Sequence, residues 1–514
     1  MQYASEPPAL PARQAGVCLH LTSLPGEQGI GEIGDGAVQF VDWLASAKIA
    51  VWQFLPAGPT AYRDSPYQAL SAFAGNEMLI DLGDLVSLNL LSPEAVKPLQ
   101  RLPKRSVDYG RLTPLKHALL QAAAAAFETG ADAALKAEFD DFVARNDKAW
   151  LHDYALYRVL KEMHGGKAWP EWERPFMSRQ PVAIQKLEND ARADIRSWKV
   201  CQFLFARQWK TLRRHAFKKG VRLFGDVPMY IALDSADAWA NPGILLISRS
   251  GRPQYVAGVP PDYFSRGGQL WGNPVYDWDR QSADGFGWWI ARLQHALSQF
   301  DLVRIDHFRG FQSYWAVPAS AKTARSGRWR AGPREAFFDA LSRAIPRAPI
   351  VAEDLGMLTP DVEALRKRYQ FPGMKVLQFE VTRKDFTIED IPELCVCYSG
   401  THDNDTTRGW FEAGCGVRHG KRKIRDTRKS VLRITGGTAK TIAIDLVRLA
   451  FASSARLAVA PMQDLLNLGT KARLNTPGKS GNNWRWRLAA AQLTAKVRDT
   501  VLELAEASDR TPDS

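Results

Sequence analysis

Short, continuous apolar runs bounded by turn residues recur along this chain, and they are the clearest pattern in it. Continuous rather than alternating hydrophobicity is typical of strands that are covered on both faces. Stretches with helical periodicity separate most of these runs, which favours an α/β fold of the (β/α)8 barrel (TIM barrel) type over a doubly wound sheet. The eight predicted strands span 16–22, 51–56, 221–228, 302–308, 349–355, 374–380, 395–400 and 455–462.

Two connections are longer than a barrel needs. The segment between strands two and three is rich in strong helix formers with periodic apolar positions, and it predicts an inserted helical subdomain over 83–200. The segment between strands three and four, about 240–290, is crowded with Gly, Pro and aromatic residues and predicts an ordered aromatic loop region over the barrel mouth. We therefore expect barrel segments at 1–82 and 201–514.

Composition limits the classes of function. The chain has 514 residues and a formal net charge of +13, but its densest basic run, 421–429, lacks any accompanying nucleic-acid-binding motif and predicts an exposed helix. No apolar run approaches the length of a signal peptide or a membrane span. The nine histidines show no metal-ligand spacing. We expect a cytoplasmic enzyme without a metal or cofactor, and without a nucleic-acid or membrane partner.

Three of the predicted strands lead into carboxylates: Asp306, Glu353 and Asp403. In a parallel barrel the carboxyl ends of the strands meet on one face, so these groups would collect there. Cleavage of a glycosidic bond with retention needs a nucleophilic carboxylate and an acid/base carboxyl group. Arg304 shares a strand face with Asp306 and would favour its ionised form, which predicts Asp306 as the nucleophile and Glu353 as the acid/base.

Asp403 has two possible roles in this pattern. It follows His402 and a flexible turn, where it could hold sugar hydroxyl groups. The residues that follow it are also good helix N-caps, so a purely structural capping role is the alternative. For a ligand-contacting aromatic loop, the residues themselves favour Trp271 and Tyr263, together with Gln269 and Asn273, because amides supply the donors and acceptors that hydroxyl groups require.

Long motifs along most of the chain resemble those of glycoside hydrolase family 77, the amylomaltase family of 4-α-glucanotransferases. The motifs occupy 19–34, 64–76, 225–239, 258–276, 304–315, 352–356, 398–405, 461–466 and 472–487. Two positions depart from the family pattern. Gly267 stands where Thr is usual, which could loosen the loop or shift acceptor preference, and Leu474 replaces Met as a conservative packing change.

The resemblance implies a maltooligosaccharide donor and a glucose or glucan acceptor. It implies Asp306 as nucleophile, Glu353 as acid/base and Asp403 as transition-state stabiliser, in agreement with the roles inferred from the residues. The implied substrate-binding residues are Tyr67, Asp226, Arg304, His307 and His402 around a bound glucose, Tyr263, Phe264, Gln269 and Trp271 in a clasping loop, and Asn475 near the same site.

Three alternatives remain at this point. The nearest is a retaining α-glucan hydrolase, which shares the first half-reaction and differs only in what attacks the glycosyl-enzyme. A glucan-binding protein without turnover would lack a carboxylate or Arg304, and none is missing. Residues 29–34 read GIGEIG, a dinucleotide-like motif, but no acidic residue follows at the end of the next predicted strand, so we interpret these glycines as turns.

Overall fold

The computed structural model describes residues 10, 13–261, 266–356, 358–417, 420–479 and 481–512. Twelve strands occur within these ranges. They are β1 (Gln14–Cys18), β2 (Val51–Gln53), β3 (Arg222–Val227), β4 (Tyr255–Val259), β5 (Gln269–Pro274), β6 (Leu302–Ile305), β7 (Ser313–Pro318), β8 (Arg328–Ala331), β9 (Ile350–Ala352), β10 (Gly373–Val376), β11 (Cys395–Tyr398) and β12 (Leu457–Pro461).

Eight of these strands form one parallel sheet in the order β10-β11-β12-β1-β2-β3-β6-β9. The two ends of the sheet approach each other, since the Ala352 N–H, at the end of β9, donates to the carbonyl of Pro372, just before β10, over 2.8 Å. The sheet is therefore a nearly closed barrel, and its strands are the eight predicted from the apolar runs. The predicted (β/α)8 barrel is confirmed.

Most barrel strands are shorter than the apolar runs that predicted them. The run 374–380 shows why: β10 ends at Val376, and Leu377–Glu380 turn into one helical turn. That turn buries Gln378, whose side-chain amide donates to the Asp405 carbonyl over 2.9 Å and to the Thr407 hydroxyl over 3.2 Å. Polar contacts at the barrel mouth, which hydropathy does not reveal, thus end the strand.

Amphipathic helices cover the outside of the barrel. In Asp35–Ser46, buried Ala37, Phe40, Val41 and Leu44 recur at helical spacing and face the sheet, while polar positions alternate with them. The outer helices are Asp35–Ser46, Arg192–Lys218, Trp278–Ala283, Gly287–Gln299, Arg334–Ala344, Pro360–Arg368, Thr407–Glu412, Lys421–Thr435, Ile442–Ala452 and Ala495–Glu506, with single turns at Ala236–Ala240, Arg309–Gln312, Leu377–Glu380 and Met462–Leu465.

The segment between β2 and β3 is helical, as predicted. Its helices are Leu82–Ser87, Pro93–Val96, Tyr109–Gly130, Ala133–Asn146, His152–Met163, Arg174–Met177 and Pro181–Asp190. Helix Arg192–Lys218 crosses the expected boundary at 200, and one continuous buried cluster contains both Trp52 of β2 and Phe127 of the insertion. We propose 83–200 as an insertion that shares this long helix and its apolar core with the barrel.

The region predicted as an aromatic loop between β3 and β6 contributes two strands, β4 and β5, to a second sheet. This four-stranded antiparallel sheet has the order β5-β4-β7-β8, and β4 pairs with both β5 and β7. Gly258 lies within β4, where a Cβ would come within 2.4 Å of the carbonyl oxygen of Gln269. The glycine thus permits close strand pairing. None of the helices in the described ranges is long and apolar enough to cross a membrane.

Candidate active site

Two of the three candidate carboxylates follow neighbouring barrel strands at equivalent positions. The register pairs Ile305 with Ala352, so Asp306 and Glu353 are the first residues after β6 and β9. The ladder continues past the strand ends, because the Glu353 N–H donates to the Ile305 carbonyl over 3.0 Å. Neighbouring strands lie about 4.8 Å apart. The sheet itself therefore places these two carboxylates side by side.

Arg304 connects Asp306 to a second carboxylate. Its guanidinium donates to Asp226 Oδ2 and to Asp306 Oδ1, each over 2.7 Å. The Arg304 side chain is 6% exposed and that of Asp226 is fully buried, whereas the Asp306 side chain is 29% exposed. Burial alone would lower the pKa of Arg304, but the carboxylates of Asp226 and Asp306 outweigh it and raise the pKa well above its ordinary value. Arg304 is therefore a permanent cation beside Asp306.

Glu353 lies in a different electrostatic environment. Burial raises the pKa of its carboxyl group to about 7, with Asp306 contributing in the same direction and Arg304 opposing it. Backbone N–H groups of His307 and Leu355 donate to its two oxygens over 2.7 Å and 2.8 Å. His307 adopts a left-handed backbone with φ of 50°, an uncommon conformation for a residue with a side chain. Near neutral pH a large fraction of Glu353 therefore carries its proton, beside the permanently charged Arg304.

Tyr67 joins the barrel network to His402. Its hydroxyl donates to Asp226 Oδ2 over 2.8 Å and lies 2.9 Å from His402 Nε2, and the two rings are stacked 5.3 Å apart. A tyrosine has one hydroxyl proton, so His402 Nε2 carries the hydrogen and donates to the Tyr67 oxygen. The buried Trp484 packs against both rings at 6.0 Å and 6.2 Å. The imidazole is thereby fixed in orientation and tautomer.

Asp403 lies in the loop after β11 and is the most exposed member of the trio. Its side chain is 49% exposed; Oδ1 accepts a 2.6 Å hydrogen bond from the Asn475 amide and lies 3.4 Å from His402 Nε2. The capping alternative is wrong for this residue, because Thr406 caps helix Thr407–Glu412 by accepting from the Gly409 N–H. Asp403 is held by side chains at the barrel mouth and is open to a ligand.

Aromatic side chains form one wall of the site. The Trp271 ring meets the His307 ring edge-to-face at 4.8 Å, and its Nε1 donates to Gln269 Oε1 over 3.2 Å. Burial lowers the pKa of His307 to about 4, so its imidazole is neutral near pH 7. Asn273 is buried and binds the Ile231 carbonyl over 3.0 Å, a structural contact. The predicted Tyr263 and Phe264 lie outside the described residues.

The two departures from the family pattern occupy different environments. Gly267 faces open space, because a Cβ added there would meet no heavy atom of the described residues within 4 Å, and its carbonyl accepts from the Ala324 N–H over 3.0 Å. Leu474 is buried in a small cluster with Leu55 and Trp484, against which Tyr67 packs. The first is a substitution at an accessible loop and the second a change in packing.

Sequence reasoning missed three residues at this site. Arg473 donates to the carbonyls of Asp403 and Asn475, each over 2.6 Å. Tyr230 packs near Trp271 and His307 at 6.2 Å and 6.3 Å, and Trp484 supports Tyr67. All three lie inside the family-like motifs at 225–239 and 472–487, so their place in these motifs is the sequence feature that could have identified them. Among the described residues, no group of three or more His, Cys, Asp or Glu side chains is placed to hold a metal ion.

A parallel barrel that gathers carboxylates, an arginine and histidines at the carboxyl ends of its strands is the architecture of a (β/α)8-barrel enzyme. The chain belongs to the 4-alpha-glucanotransferase family, glycoside hydrolase family 77, whose sequence profile matches residues 19–494.

Individual relatives agree with this assignment. The chain is 44% identical over 493 residues to a 4-alpha-glucanotransferase of Synechocystis, covering 94% of this chain and 95% of that protein. It is 43% identical over 507 residues to the Thermus thermophilus 4-alpha-glucanotransferase, covering 97% and 99%. The fold matches the amylomaltase of Streptococcus agalactiae in complex with acarbose with a TM-score of 0.91 and 33% identity, covering 97% of this chain and 100% of that one. The family and the enzyme class predicted from the motifs are confirmed.

Proposed function

We propose that this enzyme transfers an α-1,4-glucan segment from a maltooligosaccharide donor to the 4-hydroxyl of glucose or another glucan, with retention and through a glycosyl-enzyme on Asp306. One observation carries the assignment of roles. Two carboxylates on neighbouring strands have opposite surroundings: Asp306 is bound to a permanent cation, and burial raises the pKa of Glu353 to about 7. Paired carboxyl groups with such different environments are typical of a nucleophile and an acid/base.

The strand register supports retention. Retaining enzymes place their two carboxyl groups about 5–5.5 Å apart, whereas inverting enzymes leave about 6.5–9.5 Å for a water molecule. Asp306 and Glu353 occupy equivalent positions on strands that lie about 4.8 Å apart. This register favours the shorter separation of the carboxyl groups that retaining enzymes use, with Asp306 facing the anomeric carbon of a sugar whose leaving oxygen meets Glu353.

The first half-reaction forms the glycosyl-enzyme. The Glu353 carboxyl gives its proton to the glycosidic oxygen as the C1–O bond breaks, and an Asp306 oxygen forms the new bond to C1. The shortened donor leaves with the proton. Arg304 binds the Asp306 carboxylate before the attack and remains bound to Asp226, whose carboxylate balances part of the guanidinium charge afterwards.

In the second half-reaction the acceptor 4-hydroxyl attacks C1. The Glu353 carboxylate takes the hydroxyl proton, the C1–Asp306 bond breaks, and Glu353 regains its acid form. Asp403, held by Asn475 and open at the mouth, contacts hydroxyl groups of the sugar ring as positive charge develops at C1. The remaining proposed substrate-binding residues are Tyr67, Asp226, Arg304, His307 and His402 around the glucose, and Tyr263, Phe264, Gln269 and Trp271 in a loop that clasps the glucan chain.

Trapping of the covalent intermediate tests the role of Asp306. An E353Q variant mixed with α-maltotriosyl fluoride should form the glycosyl-enzyme, since fluoride leaves without an acid, and should hold it, since the base is gone. Digestion and mass spectrometry should then find the sugar on the peptide containing Asp306. D306N should give no adduct, and E363Q, which alters an exposed carboxylate on helix Pro360–Arg368, should behave as wild type. A sugar on another residue would refute the assignment.

A product ladder tests transfer against hydrolysis. Pure maltotriose should yield glucose together with maltopentaose and longer chains, because acceptor sugars outcompete water at the glycosyl-enzyme. Glucose and maltose without longer products would identify a hydrolase instead.

A further inference from the structure

Two loops meet at the barrel mouth beside Asp403, and one guanidinium joins them. The Arg473 side chain donates through Nε to the Asn475 carbonyl and through an Nη to the Asp403 carbonyl, each over 2.6 Å. The side chains of these same two residues bind each other over 2.6 Å. Arg473 therefore connects the backbones of both members of the Asn475–Asp403 pair.

Asp403 needs such support more than the other carboxylates do. Asp306 and Glu353 continue the barrel ladder, with backbone bonds of 3.0 Å to Val227 and Ile305. Asp403 lies in a loop five residues beyond the end of β11, and within the described part of the chain its backbone N–H makes only a long 3.4 Å contact, with the Thr401 hydroxyl. Its position depends on side chains from another part of the chain.

We propose that Arg473 is a positioning residue for Asp403. It fixes the Asp403 backbone against the segment that carries Asn475, so that the Asp403 carboxylate meets the sugar in one orientation. This inference rests on the proposed role of Asp403 in the reaction. Arg473 itself binds two backbone carbonyls and acts through Asp403.

The shape of the guanidinium suits this task. Its planar fork presents donors in fixed directions, so two carbonyls can be held at a set separation. A lysine at 473 would offer one ammonium centre on a flexible stem, and a methionine would offer no donor. Activity should therefore fall in the order arginine, lysine, methionine.

The experiment compares R473M, R473K and T470V in disproportionation of maltotriose. A displacement of about 1 Å at a transition-state contact costs roughly 100-fold in rate. We expect R473M to lower kcat about 10- to 100-fold with KM changed less than about threefold, since the lost contact acts mainly in the transition state. R473K should retain more activity than R473M.

The T470V variant is the matched control. Thr470 also joins these two loops, because its hydroxyl donates to Asp405 Oδ2 over 2.9 Å, but it does not touch Asp403. T470V should resemble R473K in thermal midpoint and keep kcat within about twofold of wild type. A T470V loss of kcat as large as that of R473M would mean that general loosening of the loops, and not positioning of Asp403, explains the result.

A double-mutant cycle with D403N separates the possible outcomes. If Arg473 acts through Asp403, R473M should change the residual rate of D403N less than about twofold, measured with α-maltotriosyl fluoride. Equal losses in both backgrounds would overturn the positioning role while leaving the proposed function intact. If D403N alone keeps near wild-type kcat, the proposed role of Asp403 fails first. Should R473M not fold, R473K in the same cycle gives the same decision.

Discussion

The protonation state of Glu353 should set the alkaline limit of this enzyme. Burial raises the pKa of this carboxyl group to about 7 from an ordinary value of 4.5. At pH 7 about half of the Glu353 side chains then carry the proton, compared with about one in 300 for a carboxyl group with the ordinary pKa. Burial of the side chain thus increases the population of the competent acid by roughly 150-fold at neutral pH.

The sign of the pH dependence follows from the acid role. The free enzyme must hold the proton on Glu353, so kcat/KM for maltotriose should be level below about pH 6 and should fall about tenfold per pH unit well above pH 7. The assay is initial glucose release between pH 5.5 and 9.5. Structural integrity across this range is checked by circular dichroism.

The E353Q variant tests whether Glu353 causes the fall in rate above pH 7. With α-maltotriosyl fluoride as donor and azide as acceptor, neither an acid nor a base is required, so E353Q should turn over with a flat pH profile between 6 and 8.5. The product should be the α-configured maltotriosyl azide. If the rate of E353Q still falls near pH 7, another group causes the alkaline pH dependence, and the assignment of this pH dependence to the buried Glu353 is refuted.

Three further perturbations test the network around Asp306. R304M leaves Asp226 buried and without its cation, so it should lower the free energy of unfolding by about 3–5 kcal/mol in urea titrations. The double variant R304M/D226N should regain part of the lost stability. An R304M variant as stable as wild type would contradict a stabilising buried ion pair. Y67F removes the hydroxyl between Asp226 and His402, so it should lower kcat/KM about 10- to 100-fold and change the free energy of unfolding by only about 1 kcal/mol. Unchanged kinetics would refute the role of the Tyr67 hydroxyl in orienting His402. The added side chain of G267T would project into open space, so the thermal midpoint should stay near that of wild type while KM for the glucose acceptor falls. An unchanged acceptor KM would exclude position 267 from acceptor selection.

The sequence contained enough to locate the barrel and the centre of its site. Strands buried on both faces require continuous apolar runs, and all eight barrel strands had one. Arg304 and Asp306 are two positions apart on one strand, so their pairing follows from strand geometry alone. The neighbouring positions of Asp306 and Glu353 follow from strand order in a parallel barrel.

Contacts between distant parts of the chain were not predictable in this way. The second sheet joins the β4–β5 pair to the β7–β8 pair through contacts between β4 and β7, and the Gly- and Pro-rich composition of 240–290 predicted only a loop there. The pKa of Glu353 likewise depends on burial by the folded barrel mouth, which no local pattern encodes.

Asp403 shows most clearly what the local pattern leaves undetermined. Three good capping residues follow it, so the sequence allowed either a helix-capping role or a role in sugar binding. In the structure Thr406 caps the helix, and the side-chain amide of Asn475, 72 residues away, binds the Asp403 carboxylate. Arg473 then binds the carbonyls of both partners. Asp306 and Glu353 inherit their positions from the sheet, whereas Asp403 obtains its position from a second segment of the chain. Substitutions at Arg473 or Asn475, the two residues of this segment that bind Asp403, should therefore lower kcat through Asp403 while leaving the ion pairs of Arg304 with Asp226 and Asp306 intact.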